Sequence, residues 1–222
     1  MCLSSIMPRP PKNALPFKRR LLQWFREQGR ELPWRRTRNP YHIVVSEFML
    51  QQTQVSRVQS YYPRFLRRFP TLQALALARP SQVREAWEGL GYYRRAANLH
   101  RLARTVVQDH GGTIPDRPER LRTLPGVGRY TAGAVATFAY ERREPVVDTN
   151  VARVLTRVFK PRRAGERALW DLAGRVLPTN ARTAWEFNQA MMDLGALVCV
   201  ARTPCCSECP VRTACRTGSG KT

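Results

Sequence analysis

Lysine is nearly absent from this chain of 222 residues, although the chain is strongly basic. Only Lys12, Lys18, Lys160 and Lys221 are lysines among 38 basic residues, and 16 acidic residues leave a formal net charge of +22. The segment between Lys18 and Lys160 therefore has no side-chain amine for nucleophilic chemistry. The basic excess favours a polyanionic partner, because the arginine fork binds phosphate oxygens in pairs. Nucleic acid is the first candidate, and an anionic membrane surface is the alternative.

Long apolar runs are missing as well. No stretch approaches the roughly 20 apolar residues that are needed to span a bilayer. The first eleven residues carry one positive charge, Arg9, and are interrupted by prolines, so they do not resemble a secretory signal peptide. We therefore expect a cytoplasmic protein that does not act at a membrane.

Runs of alternating apolar and polar residues, which are typical of half-buried β-strands, are also missing. Apolar residues instead recur at helical spacing in most segments, so we predict an all-α fold. One predicted helix covers residues 43–55 and would place Glu47, Gln51 and Gln54 on one face. A second covers residues 184–200, and its polar stripe faces either solvent or a cleft: Glu186, Gln189 and Asp193.

Two carboxylates differ from their surroundings. Glu47 lies in an apolar run, where a charge is costly unless it is paired. Burial raises the pKa of a carboxyl group, so Glu47 is a candidate proton donor near neutral pH, with a structural ion pair as the alternative. Asp148 follows two valines and begins a helical stretch, so it is a candidate N-cap. A fixed negative charge there also suits a cationic sugar transition state.

Two glycines enclose one apolar residue between two predicted helices. Gly126 and Gly128 permit a tight turn and let the backbone approach a phosphate closely. Val127 is expected to point inward, while the amides of the following helix, from Arg129 onward, point toward an anion. The pattern predicts a helix–hairpin–helix that binds the DNA backbone independently of sequence, with an ordinary turn as the alternative.

Residues 89–95 combine flexible backbone, two tyrosines and two arginines. Aromatic side chains beside arginine can stack on bases and bind phosphates. Packing in the core is the alternative for both tyrosines. Tyr92 is the stronger candidate for DNA contact, and for Tyr93 the two interpretations are equally supported.

Four cysteines near the C-terminus have the spacing C-x6-C-x2-C-x5-C: Cys199, Cys206, Cys209 and Cys215. Four thiolates from one short segment are typical of an iron–sulfur cluster, and zinc is the main alternative. A disulfide framework is less favoured, because no secretory segment is recognised. Cys2 and Cys205 fall outside the pattern.

Together, these segments resemble the helix–hairpin–helix DNA glycosylases that carry an iron–sulfur cluster, and within them the MutY-type adenine DNA glycosylases. The resemblance runs from about residue 21 to residue 216. It rests on R-E-L-P-W-R (30–35), S-E-F-M-L-Q-Q-T-Q-V (46–55), G-L-G-Y-Y (89–93), L-P-G-V-G-R-Y-T-A-G (124–133), V-D-T-N (147–150), F-N-Q-A-M-M-D-L-G-A (187–196) and the four cysteines.

The resemblance implies a role for each matching residue. Glu47 would protonate adenine at N7, and Asp148 would stabilise the oxocarbenium ion electrostatically or through a transient covalent bond. Asn150 would position Asp148 and the attacking water, and Tyr130 would assist in the same site. The implied base-pocket residues are Arg30, Leu32, Trp34 and Gln189. The implied DNA contacts are Gln51, Gln52 and Tyr92 where the base leaves the helix, and Gly126, Val127, Gly128 and Arg129 in the hairpin. Extrusion of the base is required, since the bond to be broken is inaccessible inside a stacked duplex.

The resemblance also implies an overall organisation. A six-helix subdomain would cover residues 29–139, with the helix–hairpin–helix at 121–140. A second subdomain would combine residues 1–28 and 140–222 and would hold a [4Fe-4S] cluster in the loop 199–215. The two subdomains would flank a DNA-binding groove. We expect a nucleoid-associated monomer that binds double-stranded DNA containing a mispair.

Tyr130 and two departures from the family pattern bear on the activity. Tyr130 occupies the position at which related lyases such as endonuclease III carry a Schiff-base lysine, so we expect a monofunctional enzyme that leaves an abasic site. Thr149 replaces the glycine of the best-known adenine enzymes, and the chain ends at Thr222, before their C-terminal 8-oxoguanine-recognition domain. Tyr130 and a short chain also occur in thymine mismatch glycosylases, so a thymine or uracil glycosylase acting opposite guanine is the alternative. A DNA-binding module without catalysis is a third hypothesis, against which Glu47 and Asp148 argue.

Overall fold

A computed structural model describes residues 9–161 and 165–218 of the chain. Within these ranges the regular structure is helical and contains no β-strand, which confirms the predicted all-α fold. The first eight residues of the N-terminal segment, with Cys2, lie outside the described residues. None of the described helices is long and apolar enough to cross a membrane.

Eleven α-helices are found in the described part of the chain. They are α1 (Ala14–Gln28), α2 (Pro40–Leu50), α3 (Val55–Arg68), α4 (Leu72–Leu77), α5 (Pro80–Ala86), α6 (Arg94–Asp109), α7 (Pro118–Leu121), α8 (Arg129–Tyr140), α9 (Thr149–Phe159), α10 (Glu166–Val176) and α11 (Ala181–Asp193). Short 3₁₀ turns occur at Pro33–Arg36 and Arg212–Ala214, and a π-helical turn, Leu194–Val198, continues α11.

The chain divides into two compact units. The central unit is Glu31–Glu141, and the terminal unit combines Met1–Arg30 with Arg142–Thr222. The boundaries predicted from the sequence lie two residues earlier, at 28/29 and 139/140.

The central unit is organised around α2. Asn39 caps this helix, accepting hydrogen bonds from the backbone N–H groups of Tyr41 and His42, and Pro40 occupies the first helical position. The helix is apolar on nearly all sides, and an apolar helix of this kind is buried. It packs against α3, α6 and α8, and α8 is itself buried from Thr131 to Ala139. This packing fixes the start of α8, where the predicted hairpin lies.

The terminal unit has a core made by α1, α9, α10 and α11. Phe17 of α1 contacts Phe159 edge-on at a centroid distance of 5.2 Å and Phe187 at 6.2 Å. Aromatic pairs in this geometry are favourable beyond their buried area. The start of α9 and the inner face of α11 are thereby held in fixed positions.

The prediction of one helix over residues 43–55 is wrong. The structure ends α2 at Leu50 and begins α3 at Val55, and Gln52 between them has a left-handed backbone with φ 56°. Gln51 and Gln54 therefore do not continue the helical face of Glu47. The break is stabilised by Arg95, a residue distant in sequence, whose guanidinium binds the carbonyls at the end of α2.

Candidate functional site

Asp148 forms the N-cap of α9. Its Oδ1 accepts a hydrogen bond from the Val151 backbone N–H at 2.7 Å, and its Oδ2 accepts one from Asn150 Nδ2 at 3.0 Å. The side chain is partly exposed, at the positive end of the helix dipole. The local sequence thus produces a carboxylate of fixed direction that remains accessible to a ligand.

Asn150 is in turn oriented by Arg153, one helical turn further along α9. Arg153 Nη2 donates to Asn150 Oδ1 at 2.6 Å and to the Gly195 carbonyl at 2.7 Å, and its Nε donates to the Cys199 carbonyl at 2.8 Å. With its Oδ1 occupied in this way, the amide of Asn150 directs Nδ2 toward Asp148. One arginine therefore links the candidate catalytic carboxylate to the π-helical turn and to the first cysteine of the motif.

Gly195 allows the π-helical turn to approach the start of α9. A Cβ at Gly195 would lie 2.6 Å from Asn150 Cβ and 3.0 Å from the Asn150 backbone, so this contact excludes any other residue. π-Helical turns often occur at functional sites.

The polar stripe predicted on α11 is present, and two of its members form ion pairs within the terminal unit. Glu186 binds Arg26 at 2.8 Å. Asp193 is fully buried and binds both the Arg30 guanidinium, at 2.6 Å, and the Arg30 backbone N–H, at 2.9 Å. Gln189 lies between them in sequence, and its buried Oε1 has no hydrogen-bond partner among the described residues. The stripe thus contains a buried acceptor that suits a ligand donor.

The four cysteines of the motif line one cavity of about 270 Å³, together with Cys205. All five described cysteines are free thiols, so the disulfide alternative is not supported. Burial, with smaller contributions from the neighbouring Cys199, Cys215 and Cys206 sulfurs, raises the pKa of the Cys209 thiol to about 11. Buried thiols in such proximity become thiolates when a cationic group lies among them.

This cavity has space for a metal cluster, although no group of three or more His, Cys, Asp or Glu side chains in the described residues is already arranged around one ion. A water molecule occupies about 30 Å³, so the cavity accommodates a group of many atoms. Arg157 fixes one wall, with Nη1 directed to Cys199 Sγ at 3.5 Å and to the Val200 carbonyl at 2.7 Å. The donor set and the space fit a [4Fe-4S] cluster.

In the central unit, Glu47 lies on α2 and is only 4% exposed. Tyr130 is the second residue of α8 and is half-buried.

The predicted hairpin directly precedes α8. Gly126 has φ 77°, and a Cβ there would lie 2.8 Å from Asn98 Cβ and 3.0 Å from Phe48. Val127 is buried, as predicted, whereas a Cβ at Gly128 would meet no atom within 4 Å. The chain itself therefore requires glycine at 126 but not at 128.

Leu32 and Trp34, at the 3₁₀ turn Pro33–Arg36, are both buried. Trp34 contacts Tyr62 edge-on at a centroid distance of 5.6 Å. The buried Tyr62 hydroxyl has no hydrogen-bond partner in the described part of the chain, and burial raises the pKa of Tyr62 to about 12.

Gln51, Gln52 and Tyr92 lie on two turns of the central unit that a single side chain, Arg95, joins. Gln52 and Tyr92 are exposed, and both have left-handed backbones. Arg153 and Arg157 were missed from the sequence, where no local signal distinguishes them from the many other arginines of the chain. Arg95 was noted in the segment 89–95 as a cation that could bind phosphate, but the structure buries it, with 7% exposed, and directs it to backbone carbonyls.

The fold, the hairpin and the capped aspartate define a class. Residues 45–173, more than half of the chain, match the HhH-GPD superfamily of base excision DNA repair proteins. The chain belongs to this superfamily.

Among individual proteins, the chain is 49% identical over 195 residues to the adenine DNA glycosylase of Mycobacterium tuberculosis, which covers 86% of this chain and 64% of that protein. It is 41% identical over 205 residues to the thymine-DNA glycosylase of Aeropyrum pernix, covering 89% and 92%. A solved thermostable thymine-DNA glycosylase has a TM-score of 0.86 at 30% identity, covering 94% of this chain and 97% of that one. The chain thus spans less than two thirds of that adenine enzyme and nearly all of the thymine enzymes.

Proposed function

We propose that this chain is a monofunctional DNA glycosylase of base excision repair. It hydrolyses the N-glycosidic bond of an adenine paired with 8-oxoguanine or guanine in duplex DNA and leaves an abasic site. The observation that carries the proposal is the fixed, partly exposed carboxylate of Asp148, both of whose oxygens accept hydrogen bonds.

Asp148 stabilises the positive charge that develops on the deoxyribose as the base departs. A negative charge that is already oriented needs no reorganisation when the transition state forms. Asn150, held by Arg153, positions Asp148 and the water whose oxygen bonds to the sugar carbon. The water loses one proton to solvent in this step, which balances the proton that the departing base takes up.

Glu47 supplies the proton that the departing purine takes up at N7. The base leaves with the electron pair of the broken bond, and protonation neutralises the charge it would otherwise carry. A buried glutamate is suited to this role, because a low-polarity site favours the protonated acid.

Tyr130 assists at the sugar without forming a covalent imine. A phenol cannot form a Schiff base, and the sequence has no lysine between Lys18 and Lys160. The reaction accordingly stops at the abasic site.

Recognition of the extruded base involves four residues: Arg30, Leu32, Trp34 and Gln189. Gln189 gives the most specific support, because its buried Oε1 is an acceptor without a partner among the described residues. Adenine presents an N6 amino donor that matches it. Leu32 and Trp34 supply apolar contact.

Duplex DNA is bound through the hairpin, and its helix is opened by two wedge residues. The N–H groups that begin α8 after Gly128 are oriented for a phosphate, with Arg129 beside them. Gln52, with Gln51 next to it, and Tyr92 enter the stack where the base leaves it.

Cys199, Cys206, Cys209 and Cys215 hold a [4Fe-4S] cluster in this proposal. Its contribution is to cross-link the segment 199–215 and to help dock the DNA rather than to take part in the hydrolysis. Exposed arginines in this segment and directly after it are available to phosphates: Arg202, Arg212 and Arg216.

A thymine or uracil glycosylase acting opposite guanine is the second candidate. It is favoured by the 41% identity to the Aeropyrum pernix thymine-DNA glycosylase and by the TM-score of 0.86 to the solved thermostable thymine-DNA glycosylase.

One assay separates the two activities. Purified protein is incubated with duplexes containing A:8-oxoguanine, A:G, T:G or U:G, and abasic sites are cleaved with alkali. We expect strand cleavage in the two adenine duplexes, and only after treatment with alkali. Glu47→Gln should slow adenine release by about 10²–10⁴-fold. Release confined to T:G or U:G would replace the adenine assignment, and adenine release unchanged in Glu47→Gln would remove Glu47 from the role of acid.

A further inference from the structure

Arg95 of the central unit is an arginine with only 7% of its surface exposed, and its guanidinium makes many hydrogen bonds. Its Nη1 donates to the carbonyls of Phe48, Met49 and Gln51, and its Nη2 donates to Leu90 O, Gly91 O and Thr53 Oγ1. Six oxygens from two separate chain segments therefore share one guanidinium.

These two segments are the ones that present the exposed wedge candidates. The turn between α2 and α3 carries Gln52, and the turn before α6 carries Tyr92, which is 61% exposed. Both residues have positive φ, 56° and 47°, without being glycine. Such conformations are disfavoured for L-residues and persist only where the surroundings impose them.

Arg95 supplies the constraint on both sides at once. It satisfies the carbonyls that the early end of α2 leaves without helical partners, and it binds the carbonyls that precede Tyr92. The guanidinium also lies over the rings of Trp87 and Tyr92, at 5.5 Å and 5.3 Å from their centroids. The Trp87 indole N–H donates to the same Gly91 carbonyl at 3.2 Å.

We propose that Arg95 is a positioning residue that holds the Gln52 and Tyr92 turns in one rigid arrangement, so that the two side chains enter the duplex together and extrude the target base. This inference rests on the proposed function, since it assigns a part of the machinery for base extrusion.

The number and geometry of the hydrogen-bond donors explain why lysine would not replace Arg95. An ammonium group is a compact donor with three hydrogens, whereas the planar guanidinium presents donors on two nitrogens in a fixed fork. Arg95→Lys keeps the charge, but it cannot bridge oxygens on both turns.

The test compares Arg95→Lys with Arg143→Lys in the full chain. Arg143 is a matched control from the terminal unit: it also binds carbonyls at a helix end, those of Gly174, Leu177 and Pro178. Three quantities are measured: amide hydrogen exchange of residues 51–54 and 89–93 without DNA, fluorescence of a 2-aminopurine placed at the target position of a duplex, and single-turnover base release.

For Arg95→Lys we expect exchange in the two turns to be about tenfold faster, since hydrogen bonds to a charged donor are lost. The fluorescence rise that reports extrusion should shrink, and base release should slow by about 100-fold, as expected for misplaced contacts. Duplex affinity should change far less, because phosphate contacts dominate it. Arg143→Lys should lower the melting temperature while leaving exchange in the turns and extrusion at wild-type values.

Two results in a folded Arg95→Lys protein would overturn the inference. One is amide exchange in the two turns as slow as in the wild type, and the other is unchanged extrusion of the base. If that variant does not fold, Thr53→Val serves instead, because it removes one acceptor of Arg95 at 3.0 Å. It should give a smaller effect in the same direction, and wild-type exchange and extrusion in it would equally overturn the inference. Absence of base release by the wild-type protein would refute the proposed function, whereas the exchange measurement would still decide whether Arg95 holds the turns.

Discussion

Arg153 illustrates how much a single side chain contributes to the geometry of the candidate catalytic carboxylate. Asp148 is fixed by its own helix on one oxygen and by Asn150 on the other, and the orientation of Asn150 depends on the donor that Arg153 provides. Because Arg153 holds Asn150 and Asn150 holds Asp148, removal of Arg153 affects the orientation of Asp148.

We predict that Arg153→Gln slows single-turnover base release by about 100-fold, the effect expected of a catalytic group displaced by about 1 Å. Duplex affinity should stay close to that of the wild type. Thr156→Ala, on the same helix, is the control, since the Thr156 hydroxyl binds the Ala152 carbonyl within α9. Iron content is measured in parallel because Arg153 also binds the Cys199 carbonyl. A loss of iron equal to the loss of rate would show that Arg153 acts through the cysteine segment and not through Asn150.

At this scale the sequence predicts candidate catalytic groups more readily than the residues that position them. Asp148 and Glu47 are recognisable because a carboxylate after a β-branched pair, or within an apolar run, conflicts with its local environment. Arg153 and Arg95 conflict with nothing locally, since arginine is ordinary on a helix surface. Their importance arises from carbonyl groups that become available only when helices end or turn elsewhere in the chain.

Among the elements, the hairpin before α8 separates two uses of glycine. Gly126 is required by the fold, because its backbone is left-handed and a Cβ would contact Asn98 and Phe48. Gly128 has φ −88°, which any residue adopts, and open space beside it. The fold itself does not require glycine at position 128. Close approach of a DNA phosphate to the backbone would explain the glycine there.

We predict opposite outcomes for alanine at the two positions. Gly126→Ala should lower the free energy of unfolding by about 1–2 kcal/mol through backbone strain and contact with Asn98. Gly128→Ala should leave the melting temperature unchanged but weaken duplex binding by about tenfold or more, as expected for one lost hydrogen bond to a charged acceptor. Thermal unfolding and fluorescence anisotropy with labelled duplex measure the two effects. Unchanged duplex affinity in Gly128→Ala would show that no phosphate approaches this glycine.

Helix boundaries were predictable where local chemistry sets them and not where distant residues do. Asp148 was recognised as a candidate N-cap and does cap the start of α9. Asn39 and Pro40 carry a start signal for α2 that was not used, since the helix was predicted from residue 43 and begins at Pro40. The end of α2 at Leu50 has no local stop signal, because residues 51–54 include neither glycine nor proline, and Arg95 supplies donors for the carbonyls at this helix end. The π-helical turn after α11 likewise depends on Gly195, both through its missing side chain and through the hydrogen bond that Arg153 donates to its carbonyl.

For the whole molecule, the division into two units indicates where stability is expected to depend on the cysteines. The terminal unit includes all four motif cysteines, and three of them pack against its core: Cys199, Cys209 and Cys215. The 3₁₀ turn before Cys215 is tied to α1 and α9 by Asn13, whose side-chain amide donates to the Ala214 and Val158 carbonyls. The central unit, Glu31–Glu141, has its own buried side chains and no cysteine.

We therefore predict that loss of the cluster destabilises one unit selectively. Cys206→Ser should reduce bound iron from about four atoms per chain and reduce the absorbance near 410 nm expected of a four-iron cube. Amide exchange should accelerate in residues 199–218 and α9, because their cross-link is gone, but not in α2, α6 or α8. Cys205→Ser is the matched control, since Cys205 lines the same cavity but lies outside the spacing pattern. Stoichiometric zinc in place of iron in the wild-type protein, or iron lost in Cys205→Ser as fully as in Cys206→Ser, would contradict the assignment of the four ligands.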